Sequence, residues 1–232
     1  MSTTDMEKLK TEMVVFLRNS DILSITQRGV TTISNVFNAT TNQTVFTLSN
    51  AVARNIRSVV LASEPHTPDR ATKNAYDDYT PDYKSISSTI TFGTGISENS
   101  SVIVTYDYSS GTTEKVWADY PELQYLPASV PRVGFDITGF RTQALSIGDS
   151  NWFSDALITV KVYDSNLKNI DGFISTIRSK VKESQLSFYH FQIVRPKNIG
   201  PALLHDITSK SKLSGKVFEK AIDLLARFNF EV

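Results

Sequence analysis

The chain of 232 residues contains no cysteine. Disulfides, thiol nucleophiles and cysteine-ligated metals are excluded at once, and the absence fits a protein made in a reducing cytoplasm. Histidine is scarce: His66, His190 and His205 share no motif. No charge sign dominates, since 24 Lys and Arg balance 24 Asp and Glu. No global field therefore draws the chain to nucleic acid or to a membrane. No apolar run reaches the length of a membrane span, and the polar start Met1-Ser2-Thr3-Thr4-Asp5 does not read as a secretory leader. The Asn-x-Ser/Thr triplets at Asn38, Asn42 and Asn99 then read as chance products of loops rich in Ser, Thr and Asn. A Gly-x-Ser-x-Gly elbow and a phosphate loop ending in Gly-Lys-Ser/Thr are both missing.

The most informative stretch runs from 76 to 108. An acidic, tyrosine-rich turn, Tyr76-Asp77-Asp78-Tyr79-Thr80-Pro81-Asp82-Tyr83, precedes two β-runs joined by a loop bearing Gly93-Thr94-Gly95. These residues suit packing and display, with no catalytic set among them. Gly93-Thr94-Gly95 opens like a dinucleotide loop but lacks the third glycine and a following helix, so a hairpin turn is expected. Asp77, Asp78 and Asp82 could ligate a divalent cation, but their spacing is not that of an EF-hand, and no metal is expected.

Thr4-Asp5-Met6-Glu7 is a capping box, and Met6, Leu9, Met13, Phe16 and Leu17 recur at helical spacing. The pattern predicts an N-terminal helix over residues 4 to 20 that packs on a sheet from elsewhere. From about 29 to 111, β-branched residues and turn formers alternate in short runs. Strands are predicted at 31–37, 44–48, 56–61, 87–92 and 102–108, with one long loop over 64–84. Such a block implies a small antiparallel sandwich or barrel. Residues 116–125, followed by Pro127 and Pro131, read as an extended connector.

Further strands are expected at 132–140, with Val133, Phe135 and Ile137 on one face, and at 156–163, separated by a loop over 143–151. Ile170, Phe173, Ile174, Ile177 and Val181 make a strict helical stripe. A strand at 186–194 follows, placing His190 as a half-buried strand histidine, and then a basic punctuated segment over 196–215. Residues 216–232 look helical by propensity, but Phe218, Ile222, Leu224, Ala226, Phe228 and Phe230 all fall on even positions. Period two wins, and a long closing strand is predicted.

The fold class expected is α+β: a small mixed sheet flanked by two helices, formed by residues 1–27 and 116–232, with a large antiparallel β-sandwich-like insertion over 28–115. Charge divides unevenly along this plan. Residues 60–126 hold ten acids against four bases, and residues 178–220 nine bases against three acids. Two surfaces with different partners are implied. The basic residues Arg178, Lys180, Lys182, Lys197, Lys210 and Lys212 are the candidate interaction set. Phe188, Tyr189 and Phe191 lie between the basic stretches, but strand alternation accounts for them, so an acidic protein surface is the expected partner. No catalytic, cofactor-binding or metal-ligating residue is nominated.

The order of a capped helix, strands, a lone helix and a long closing strand resembles the tail terminator, or tail-completion, proteins of long-tailed bacteriophages. The most similar part runs from Ala156-Leu157-Ile158-Thr159-Val160-Lys161-Val162-Tyr163 into Asp171-Gly172-Phe173-Ile174-Ser175-Thr176-Ile177. The block around Tyr79-Thr80-Pro81-Asp82-Tyr83 and Ile90-Thr91-Phe92 resembles β-insertions of phage neck and tail proteins. The resemblance implies a non-enzymatic virion protein, assembled in the host cytoplasm. It would form a homo-oligomeric ring, expected to be a hexamer, that caps the tail tube protein and meets the head-side connector or stopper. Contact with the tail sheath is a further implication, as is transient passage of DNA through the lumen without specific binding. No membrane is involved. Strands 186–194 and 216–232 are expected to extend across subunit boundaries by edge pairing. Competing readings are another neck, collar or baseplate protein, and a carbohydrate-binding module using Tyr76, Tyr79, Tyr83, Trp117 and Tyr120. An enzyme of unrecognised type is the remaining alternative.

Overall fold

The computed structural model describes residues 3–50, 53–62, 70–73, 78–82, 88–109, 114–122, 126–144, 151–186, 188–207 and 215–231. The chain forms two compact units, Met1–Gln27 with Lys115–Val232, and Arg28–Glu114. The insertion expected over 28–115 differs from the second unit by one residue. The class is α+β, dominated by antiparallel sheet.

Helix α1 (Thr3–Asn19) buries Leu9, Met13 and Leu17, while Met6 and Phe16 pack at the margin of the same cluster. These positions lie on one stripe of a 3.6-residue helix, which is why the helix docks along one side. The single turn α2 (Ile25–Arg28) follows.

The unit 28–114 contains β1 (Thr31–Asn38), β2 (Gln43–Thr47), β3 (Ala53–Ala62), β4 (Arg70–Lys73), β5 (Tyr79–Asp82), β6 (Thr89–Ile96) and β7 (Ser101–Tyr108). They make a four-stranded sheet, β1-β7-β3-β4, and a three-stranded sheet, β2-β6-β5. All the pairings are antiparallel. Phe46, Ile90 and Phe92 of the smaller sheet and Val59, Val102, Val104 and Tyr106 of the larger share one core, so the unit is a sandwich. Three expectations are corrected. The span 64–84 is not one loop, because β4 and β5 lie within it, each paired to a longer neighbour. Gly93-Thr94-Gly95 is not the hairpin turn but part of β6; a Cβ on Gly95 would sit 2.9 Å from Asn42 Cα, so close packing explains that glycine. Strand 87–92 starts at Thr89 and continues to Ile96.

In the other unit, β8 (Val116–Trp117) pairs in parallel with β9 (Arg132–Ala144), and the one-turn helix α3 (Leu126–Ser129) lies between them in sequence. The stretch read as an extended connector thus holds a strand and a helical turn. Next come β10 (Asn151–Asp164), α4 (Leu167–Glu183), β11 (Ile193–Ile199), β12 (Leu203–Ile207) and β13 (Gly215–Glu231). The sheet order is β11-β13-β10-β9-β8, with β12 also on β13. β11 and β12 run one after the other along the same edge of β13.

Even-numbered residues of β10 and β13, from Ala156 to Val162 and from Ile222 to Phe228, meet α1 and α4 in one cluster. Both helices therefore cover the same sheet face. On β9 the apolar series Val133, Phe135, Ile137 would rotate away after Ile137, but Gly139 inserts at φ +79° as the extra residue of a bulge between Thr138 and Phe140. Phe140 returns to the helical side and stacks edge-on against Phe228 at 6.2 Å. α4 is opened by Asn166, whose side chain accepts from Lys168 N at 2.9 Å, and it buries Ile170, Ile174, Ile177 and Val181. On the opposite face, Leu126 of α3 packs with Tyr163 and Val217.

The strand expected at 186–194 does not form. Phe188 and Phe191 stack on one another, Phe188 reaches Phe16 of α1, and the backbone N–H groups of Tyr189 and His190 donate to Glu12. Pairing begins only at Ile193. The segment 196–215, read as a loop, holds the end of β11 and all of β12. The strand at 132–140 extends to Ala144, so residues 143–144 belong to it; 145–150 lie outside the described residues. The closing strand is present from Gly215 to Glu231.

Candidate interaction surfaces

The sequence-predicted basic set is distributed over separate elements. Arg178 and Lys182 stand on the exposed side of α4, and neither forms an ion pair among the described residues. Lys180, between them, donates to Glu183 at 2.9 Å across one helical turn. Lys197 lies on edge strand β11. Lys210 and Lys212 lie outside the described residues.

The edge made by β11 and β12 is blunted against strand addition. Val194 N–H is taken by Gln185 O at 3.0 Å, Pro196 has no N–H to offer, and the pairing to β13 slips between Pro196 and Asn198. β13 itself is the interior strand, paired to β10 on one side and to β11 and β12 on the other. Neither segment expected to pair across a subunit boundary is therefore available: one is irregular and the other is saturated. What the edge offers is side chains. Ile199, Leu203 and Leu204 are exposed, the last two by 50% and 53%, and Arg195 and Lys197 are exposed earlier along β11.

On the sheet face opposite the helices, Asp155 of β10 pairs in register with Arg227 of β13, through Nε at 2.7 Å and Nη2 at 3.1 Å. The Arg227 bonds hold the Asp155 carboxyl below its usual range, with the fields of Arg195 and Arg141 adding to them. Arg227 also lies 4.6 Å over the Phe153 ring. Asp155, Ile193, Arg195, Leu225 and Arg227 line a shallow cleft of about 100 Å³. That is well below the roughly 300–1,000 Å³ typical of small-molecule sites, so the cleft suits a single side chain rather than a substrate.

Further along this face Glu219 is buried between Lys161 Nζ at 2.8 Å and His205 Nε2 at 3.0 Å. Burial raises the Tyr163 hydroxyl, with Glu219 adding to the shift. Burial likewise pushes Tyr120 up to about 12, with Asp136 next in effect. Tyr120 donates to Thr159 O at 2.9 Å, and Lys161 lies 4.6 Å from its ring centroid. Both phenols stay protonated at neutral pH and act as donors. The group is internally satisfied: Lys161 and His205 share one carboxylate.

The opposite edge of the sheet carries both signs, Asp119 and Asp136 with Lys10, Lys115 and Arg132. Lys10 Nζ is engaged by Asp136 at 3.0 Å and reaches Asp119 only at 3.9 Å, and the Asp119 side chain is 86% exposed. The segment carrying Asp119 lies against Gly134, where a Cβ would approach Asp119 O to 2.6 Å. Sequence reading passed over Asp119 and saw Arg195 only as one of the cations between 178 and 220, because only the strand order puts the two at opposite edges.

The remaining nominees have packing roles or lie outside the described residues. His190 Nδ1 is 3.3 Å from Glu12 in a cluster separate from His205. Tyr79 is buried in the sandwich core, Trp117 lies 5.6 Å beneath Arg18, and Tyr120 is turned onto the sheet. Asp78 pairs with Lys73 at 3.6 Å. His66, Tyr76, Asp77 and Tyr83 lie outside the described residues. Among the described residues, no group of three or more His, Asp or Glu side chains is placed to hold a metal ion, and no helix is long and apolar enough to cross a membrane. Comparison with protein-family models, with curated proteins and with solved structures finds no match to this chain.

Proposed function

We propose that this chain is a non-catalytic structural subunit of a long-tailed phage virion, a tail-terminator-like protein. It closes as a ring, expected to be a hexamer, on the tail tube and joins the tail to the head-side connector, with DNA passing through the lumen. The finer fold reading, a terminator-like core carrying a β-sandwich insertion, is part of the same proposal. It is supported by the order of helix, strands, lone helix and closing strand.

The observation that carries the reading is the β11–β12 edge, where Ile199, Leu203 and Leu204 are exposed along an edge that Pro196 and the register slip blunt at its β11 end. Apolar residues exposed along a partly blunted edge favour a specific protein contact over open-ended β-aggregation. A contact between unlike edges of successive copies is heterologous, and it closes into a ring when the rotation permits. The exposed cations of α4, Arg178 and Lys182, would then face the tube or the connector. Tight phosphate binding in a DNA conduit would add salt-sensitive friction, so the reading assigns these cations to protein.

Negative-stain imaging of the purified protein, alone and mixed with tail tubes, tests it. Rings of uniform diameter seated on tube ends are expected. A strictly monomeric particle that ignores tubes would overturn the proposal.

A further inference from the structure

We propose that the subunit junction is an electrostatic pairing of unlike sheet edges: Arg195 and Lys197 on one copy receive Asp119 from the next. This deepens the reading of the chain as a self-assembling subunit and rests on it.

The two edges belong to one sheet and lie at its opposite ends, β11 at one and β8 with β9 at the other. The side chains of Arg195 and Lys197 are exposed and make no hydrogen bond or salt bridge among the described residues. Asp155, in the same cleft as Arg195, is already held by Arg227 in a bidentate pair. At the far edge the exposed charge without a close partner is an acid. Two carboxylates, Asp119 and Asp136, share Lys10, and the distances of 3.9 and 3.0 Å give Asp136 the better claim. Asp119 is thus a charged, exposed side chain without a close partner, held in place by the packing of its backbone on Gly134. Beside Arg195, the small cleft floored by Ile193 and Leu225 has room for one such side chain.

A two-fold contact that sets each edge against itself would bring Arg195 to Arg195 and Asp119 to Asp119. Joining the unlike edges pairs them instead, which selects the head-to-tail arrangement that builds rings.

The absence of cysteine makes the test direct. Within one copy the two edges are separated by four strand spacings, about 19 Å at about 4.8 Å each. A D119C/R195C variant of the full chain cannot close an intramolecular disulfide, which needs Cα atoms within about 7 Å. Oxidation of the variant should give a ladder of covalent oligomers on denaturing gels, ending at the closed ring. In parallel, sedimentation should show R195E and D119R each weakening self-association by about tenfold or more, and the double variant R195E/D119R recovering it. A wild-type ring that survives both single reversals, with D119C/R195C remaining monomeric after oxidation, would overturn this junction while leaving the ring itself standing. A wild-type protein that stays monomeric at all concentrations would overturn both.

Discussion

Arg28 and Glu114, 86 residues apart, join the first and last residues of the β-rich unit by two parallel hydrogen bonds, Nε to Oε1 at 3.0 Å and Nη2 to Oε2 at 2.7 Å. The third arm of Arg28, Nη1, donates to Asp107 at 2.7 Å, and Asp107 is also held by Arg57 and Thr32, each at 2.6 Å. Arg28, Asp107 and Glu114 are almost wholly excluded from solvent. This network closes the unit where its chain enters and leaves. Burial pulls Arg28 down, but Glu114 and Asp107 outweigh it and raise the guanidinium above its ordinary value.

Removing one member of such a network strands buried charge. Arg28→Ala should destabilise the unit 28–114 by about 3–5 kcal/mol, whereas Arg28→Met with Glu114→Leu should cost less than the single change. Urea titrations of the full chain, read by hydrogen exchange in peptides from β7, measure both.

Acid should open the same unit. Burial alone would raise the Asp107 carboxyl, but the bonds from Arg57, Thr32 and Arg28 outweigh it and hold it below its ordinary value. A carboxyl depressed in the folded state adds stability that is complete above its unfolded value, about 3.9. That stability is lost as pH falls through the folded value. Protection of β7 is expected to decline below about pH 4. Asp107→Asn should lower stability at neutral pH and flatten that decline, and an unchanged acid slope would refute the assignment.

Gly134→Ala should be felt through the neighbouring segment. The new Cβ would meet Asp119 O at 2.6 Å and Tyr120 Cα at 3.4 Å, both backbone atoms. Overpacking of this kind typically costs about 1–3 kcal/mol. The hydrogen bond from Tyr120 to Thr159 should weaken with it, seen as a lowered tyrosine titration midpoint.

The exposed cations of α4 separate ring stacking from ring closure. Charge reversal of Arg178, Lys180 and Lys182 together should leave self-association intact and abolish attachment to tail tubes. The four apolar residues buried beneath the helix are untouched, so its melting temperature should move little. Tube attachment at wild-type level would remove this face from the proposal.

Elements with unbroken periodicity were readable in advance. In α4 the stripe Ile170, Ile174, Ile177, Val181 sees one environment throughout, and in β13 the even residues Ile222 to Phe228 are buried as their alternation implies. The shift in composition near Gly29 and Gly111 likewise falls close to the seams between the two units. Where a distant group competes for the backbone, local pattern misleads. Phe188-Tyr189-His190-Phe191 has the composition of a strand, but Glu12 takes two of its N–H groups and Phe16 takes its first ring. Tyr79-Thr80-Pro81-Asp82 has the composition of a turn, yet the free edge of β6 draws it into the sheet. The candidate surface was legible only in part: the cations of α4 follow from its stripe, whereas Lys197 had no strand to sit on until β11 was placed.

Where apolar spacing is unbroken, as in α1, α4 and β13, periodicity along the chain settled the element and which side of it faces inward, because such spacing acts over a few neighbours and needs no distant partner. Folding settled which charges meet. In β7, Asp107 alternates as an outward polar residue but is buried, because Arg28, Thr32 and Arg57 converge on it from elsewhere in the unit. Asp119 and Arg195 are ordinary surface residues until the strand order sets them at the two ends of one sheet. An ion pair depends on a separation of a few ångströms in space, and separation along the chain carries no information about it.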